Sequence, residues 1–261
     1  MKDHRLKIGL SLPCTDCGAL QTFEHIPECF EYAELSGETL AGVSQLHKEH
    51  PLWSEFEFFN FRNIISSALT CQLTSENQVI VQEYKKELRK LLAQAQACKA
   101  KCVSIDPDWE NLCGDHERLQ IFNDVLSSTA GDRDFYNIDL LISVRLPGSG
   151  IVPVTESLEL LHKLSSYRVK LALDINPHEL LKSELDWQSV LAPFRFEVPV
   201  VRFCYHSELG NKLLYQHIEK MIAAMRSWKQ PTIIYLAPGG CADWEELAAM
   251  AENINPSTGE K

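Results

Sequence analysis

Apolar residues in this chain fall into two kinds of block, and the blocks alternate. One kind is a short run with no room for a polar face, rich in β-branched and aromatic residues and closed by Pro, Gly or Asp. It occurs as LKIGLSLP (Leu6–Pro13), YAELSGE (Tyr32–Glu38), EFEFFNFRNIISSAL (Glu55–Leu69), KCVSIDPDW (Lys101–Trp109), IDLLISVRLPGSG (Ile138–Gly150), VKLALD (Val169–Asp174), VPVVRFCYHSE (Val198–Glu208) and PTIIYLAPGG (Pro231–Gly240). Such runs predict strands buried on both faces. The other kind repeats its apolar residues at helical spacing: around His25–Tyr32, over Thr39–His50, from a Ser75 N-cap through Leu92, over His116–Ser127, Thr155–Tyr167, Leu185–Phe194, Lys212–Trp228 and Cys241–Ile254. Strands alternating with helices and joined by short polar turns favour a closed parallel (β/α)8 barrel, a TIM barrel, over a doubly wound sheet. The length of 261 residues matches the roughly 250 of such a barrel as one domain. The barrel is expected to occupy residues 1–254, with 255–261 as a frayed tail.

Parallel α/β architectures bind ligands beyond the carboxyl ends of their strands, so polar residues that close the apolar runs are the candidates for chemistry. The sixth run is the sharpest: VKLALDINPHELL stops in Asp174 and carries His178 just beyond. A plain turn-capping Asp and a surface His are the competing reading. Asp106 closes the fourth run, Arg145 the fifth and His206 the seventh, with Glu208 two residues later. Trp109 follows the fourth run, where an indole serves equally as a wall for a sugar ring or as loop packing. APGG, ending in Gly239 and Gly240, is a loop whose amides can face a phosphate.

Charge narrows the partners. The formal net charge is −11 and the pI is near 5.3, which argues against binding a nucleic-acid backbone or an anionic membrane surface. The KKELRK stretch at Lys85–Lys90 contains Glu87 and reads as the solvated face of an amphipathic helix. No apolar run approaches the roughly 18 residues of a membrane span, and MKDHRLK leads into a strand instead of a signal-peptide core, so a cytoplasmic protein is expected. The nine cysteines are then reduced thiols. Cys14 and Cys17 form a CxxC after the first run, but they supply only two of the four ligands of a structural zinc, and free thiols are expected.

The order of these pieces resembles the xylose isomerase-like barrels, the family of sugar phosphate isomerases and epimerases that also holds endonuclease IV. The resemblance rests on YAELSG, on NIISSAL followed by SENQ and YKKELRKLLAQAQACKAKCVSIDP, and on LALDINPH, and it runs loosely from Leu6 to Ile254. It implies a small sugar or sugar phosphate as ligand and a divalent Mn, Mg or Zn. The implied metal ligands are a Glu ending strand five, an Asp with a nearby His from strand six, a His from strand seven and a Glu from strand eight. Asp174, His178 and His206 fit the middle of that set, with Asp106 and Glu208 as further donors. Arg145 stands where the first Glu is implied, and IYLAPGG ends with no acid. Both proton-moving glutamates are therefore missing. The expectation is a degenerate metal site in which Asp174, His206 and Arg145 carry what chemistry remains, with Arg145 pairing with Asp174 or clamping a ligand anion. The alternative is a catalytically inactive barrel used for binding or interaction. An endonuclease IV-like activity is disfavoured by the acidic charge and the shortage of strand-end histidines.

Overall fold

The computed structural model describes residues 6–12, 29–36, 42, 57–64, 78–107, 109–112, 115–131, 137–146, 169–176, 191–192, 198–206, 212–226, 228, 232–239 and 244–254. Each apolar run contains one strand: β1 (Lys7–Leu12), β2 (Tyr32–Ser36), β3 (Glu57–Ile64), β4 (Cys102–Asp106), β5 (Asp139–Leu146), β6 (Val169–Ile175), β7 (Val200–His206) and β8 (Ile233–Gly239). Every strand pairs in parallel with the next, and β8 pairs with β1, so the sheet closes into the predicted eight-stranded barrel. Closure leaves no sheet edge, which removes the open row of backbone donors and acceptors that an unclosed sheet would expose.

Among the described residues the helices are α1 (Gln78–Ala97), α2 (Trp109–Leu112), α3 (His116–Ala130), α4 (Lys212–Met225) and α5 (Trp244–Ile254). The buried stripe of α1 is Val81, Tyr84, Leu88, Leu91, Leu92 and Ala95. Ala95 continues the stripe one turn beyond Leu92, the last apolar position noted in the sequence. It stops where Lys99 takes a positive φ of 61° and the Ala100 amide donates back to the Ala95 carbonyl at 3.0 Å. The cap of α3 is Asp115, whose Oδ1 accepts the Arg118 amide at 3.0 Å. The short α2 is an element that periodicity did not predict. The predicted helices at His25–Tyr32, Thr39–His50, Thr155–Tyr167 and Leu185–Phe194, the Ser75 cap, and Cys14 and Cys17 fall wholly or mostly outside the described residues.

Strand alternation sorts the core into two layers. Leu10, Leu35, Val103, Ile142, Leu173, Phe203 and Leu236 join the large cluster that includes Leu88, Phe122, Val125 and Met221 of the surrounding helices. A second, separate cluster holds Tyr32, Cys102, Leu141, Ala172, Val200, Ile233 and Tyr235, the alternate positions that fill the barrel interior. The Tyr235 ring takes the space beside Gly9: a Cβ at that position would lie 2.5 Å from Cε1 and 2.6 Å from Cδ1. Only glycine lets β1 pass so close to the ring. This apolar layer is the floor on which the polar residues nearer the carboxyl ends sit.

Candidate functional site

The residues above that floor are polar, and one cation organises them. Arg202 lies in the interior of β7 and is fully buried, as is Glu34 of β2, while Asp174 of β6 is 4% exposed. The Arg202 Nε donates to both Glu34 oxygens, at 2.6 and 2.8 Å. Its Nη1 donates to Asp174 Oδ1 at 2.7 Å and to Ser143 Oγ at 3.3 Å, and its Nη2 donates to Ser104 Oγ at 2.5 Å. Ser11 Oγ completes the set by donating to Glu34 Oε1 at 2.7 Å. Residues from β1, β2, β4, β5 and β6 thus converge on a guanidinium delivered by β7. Burial alone favours a neutral Arg202, but the facing Glu34 and Asp174 carboxylates outweigh it and raise its pKa above the ordinary arginine value. The group is therefore a permanent positive charge within the barrel.

A second pair lies at the strand ends. Arg145 of β5 donates from Nη2 to Asp106 Oδ2 of β4 at 3.1 Å; the Arg145 side chain is 65% exposed and that of Asp106 only 3%. The guanidinium stands in the mouth with one edge tied to a buried carboxylate. Arg145 and Asp174 are register partners on β5 and β6, yet their side chains choose different counter-ions. Of the two alternatives expected for Arg145, pairing with Asp174 or clamping a ligand anion, the first is not what the side chains do: the deeper Arg202 reaches Asp174 from the neighbouring strand, where Asp174 and Arg202 are themselves register partners.

Of the two roles open to Trp109, packing and a wall for a sugar ring, the structure shows packing. Its indole is buried at 4% exposure, belongs to the large apolar cluster, and donates its N–H to the Ser143 carbonyl at 2.8 Å. It packs against the barrel wall and leaves no ring face for a sugar. His206 and Gly239 end β7 and β8 as register partners. His178, Glu208, Gly240 and the side chain of His206, and with them the expected convergence of Asp174, His178 and His206, lie outside the described residues.

The implied divalent metal fits poorly on the residues described. Of its five candidate ligands, the Asp106 and Asp174 side chains are described, and each is bound by a guanidinium. Two fixed cations at hydrogen-bond distance from the carboxylates oppose a third, doubly charged one. Among the described residues no cluster of three or more His, Cys, Asp or Glu is placed to hold a metal ion.

Glu34 and Arg202 are the residues that strand-end reasoning missed as a pair. Their signal was present: each is a lone charge inside an apolar run, YAELS and VVRFCYH, and a charge in such a place needs an opposite charge elsewhere in the barrel.

No family model and no curated protein matches the sequence. Solved structures do match. The chain superposes on the 3-keto-D-glucoside 4-epimerase YcjR from E. coli with TM-score 0.64 at 10% identity, covering 96% of this chain and 98% of that one. D-psicose 3-epimerase from Clostridium cellulolyticum H10, solved with D-tagatose, gives TM-score 0.65 at 10% identity over 97% and 96% of the two chains. The family 2 AP endonuclease from Brucella melitensis gives 0.63 at 14% identity over 94% and 98%. The chain therefore shares the (β/α)8 barrel fold of these proteins along essentially its whole length. Among the described residues no helix is long and apolar enough to cross a membrane.

Proposed function

We propose that the protein is a sugar isomerase/epimerase-like barrel that takes a small polyhydroxy or phosphorylated ligand in the mouth formed by the carboxyl ends of its strands. The observation that carries this reading is the Arg145 guanidinium, 65% exposed at the end of β5 and tied by one edge to buried Asp106. A planar cation held in this way is suited to the fork geometry of a phosphate or carboxylate. The fold supports a sugar, since the neighbours named for their activity include epimerases of ketohexoses. The net charge of −11 favours a small ligand over a nucleic acid.

Catalysis in such a mouth means moving a proton on the carbon beside a carbonyl, which requires a base within hydrogen-bond reach. Arg145 remains a cation near neutral pH and cannot serve. His206, at the end of β7, is the candidate for proton transfer, with Asp174 holding the electrostatic frame through Arg202. A second reading, a barrel that binds without turnover, is favoured by the Arg202 network, which engages both Glu34 and Asp174 and buries them.

One experiment separates the two. Wild-type protein is incubated with D-fructose, D-tagatose, D-allulose and their phosphates in D2O, with deuterium entry beside the carbonyl followed by NMR and affinity followed by calorimetry. A phosphorylated sugar is expected to bind about 10-fold tighter than its neutral parent, one charge-assisted contact being worth roughly 1.4 kcal/mol, and Arg145→Ala should erase the difference. Deuterium entry abolished by His206→Ala supports the enzyme; binding without exchange supports the second reading. Failure of every sugar and sugar phosphate to bind overturns both.

A further inference from the structure

Among the described residues, every atom that accepts a hydrogen bond from the Arg202 guanidinium is an oxygen, and together these atoms form a cage. They are the two Glu34 oxygens at 2.6 and 2.8 Å, Asp174 Oδ1 at 2.7 Å, Ser104 Oγ at 2.5 Å and Ser143 Oγ at 3.3 Å. The cage is sealed: Arg202, Glu34, Ser104 and Ser143 are all 0% exposed and Asp174 is 4% exposed. Two carboxylates and two hydroxyls converging from four strands, with no nitrogen or sulfur donor among them, are the ligand chemistry of a hard divalent cation.

We propose that Arg202 is a resident substitute for such a cation, and that the barrel interior is a latent oxygen-ligand metal site which the guanidinium keeps occupied. Four strands supply the cage, and the neighbouring β7 supplies the ion. Two buried carboxylates cannot stand without a counter-cation, and the sequence supplies a covalently attached one, whose single positive charge donates to both of them while Ser11 Oγ donates to Glu34 as well. The Glu34 and Asp174 carboxylates therefore need no ion from solution. This inference concerns the interior cage alone and holds whichever ligand the mouth accepts.

The assignment makes a cation from solution and the Arg202 side chain interchangeable. Wild-type protein purified without chelator should carry well under one Mg, Mn or Ca per chain, and its melting temperature should not change with EDTA. In Arg202→Ala the cage loses its cation but keeps all its oxygens. That variant should be poorly folded in EDTA, and titration with Mn2+ should restore the wild-type far-ultraviolet circular dichroism, with one bound ion per chain by electron paramagnetic resonance. Its melting temperature should rise by ~5–10 °C as Mn2+ passes ~100 times its Kd. Sodium chloride at matched ionic strength should have no such effect. Arg202→Ala combined with Glu34→Gln and Asp174→Asn removes the need for any cation, and its melting should be indifferent to Mn2+. The proposal is overturned if wild type holds a stoichiometric divalent ion that EDTA removes with loss of stability. It is equally overturned if Arg202→Ala neither folds nor binds Mn2+, or if the triple variant responds to Mn2+ as Arg202→Ala does.

Discussion

Glu34→Gln is the most informative single change for stability, because it removes a charge from the sealed network while altering almost no volume. In the wild type Glu34 accepts Arg202 Nε on both oxygens and Ser11 Oγ on one. A glutamine offers one oxygen and one amide donor, so at least one of the Nε contacts becomes donor against donor. Arg202 keeps Asp174 at 2.7 Å and both serine hydroxyls, so its charge stays paired, but its Nε loses an acceptor in a site sealed from solvent. Leaving a buried donor unmet costs about 1–3 kcal/mol, and more when the donor is charged, which places this variant at about 3 kcal/mol. For a chain of this length that corresponds to a fall in melting temperature of roughly 6–12 °C. The comparator is Asp115→Asn at the start of α3, where the carboxylate is 42% exposed and pairs with Arg118 at 3.1 Å. Asparagine caps as well as aspartate, so only a solvent-screened ion pair is lost, worth under about 1 kcal/mol. Urea midpoints for the two variants at pH 7, with equal m-values to confirm equal exposure on unfolding, measure the contrast. If Glu34→Gln shifts the midpoint no further than Asp115→Asn, the network is not the electrostatic centre of the barrel.

Other changes test neighbouring parts of the structure. Tyr84 and Tyr235 are buried, and burial raises both phenols above their ordinary value of 10.0; the folded state keeps two protons that the unfolded chain releases. Stability should thus be intact below about pH 10 and fall above it at up to about 2.7 kcal/mol per pH unit, and absorbance at 295 nm should show these two phenols ionising only with unfolding. Among the described residues the Tyr235 hydroxyl has no hydrogen-bond partner, so Tyr235→Phe should be neutral or stabilising by up to about 1 kcal/mol in urea titration. Gly9→Ala, which drives a methyl into the same ring, should cost about 1–3 kcal/mol, or more if the ring cannot move. Arg145→Ala should cost no more than about 1–2 kcal/mol in the same titration, because its guanidinium is largely exposed, while reducing affinity for a phosphorylated ligand about 10-fold by calorimetry.

The strands were legible in the sequence, because a strand buried on both faces has no polar positions to blur its pattern. All eight apolar runs contain a strand, and their alternation with helical spacing left a closed parallel barrel as the natural arrangement. Asp106, Arg145 and His206 were also legible as strand-terminal residues, since that depends only on where each run stops. The choice of counter-ion was not. Arg145 and Asp174 are register partners and look like a pair from their positions along the chain, yet Arg145 turns to Asp106 and Asp174 turns to Arg202. Closure decided this by bringing Glu34 and Arg202, 168 residues apart, within one hydrogen bond of each other across the barrel. Periodicity shows that a strand has an interior face, but which interior side chains meet depends on the register of strands distant in sequence. That register arises only when β8 pairs with β1, so the sealed cation at the centre belongs to the tertiary structure alone.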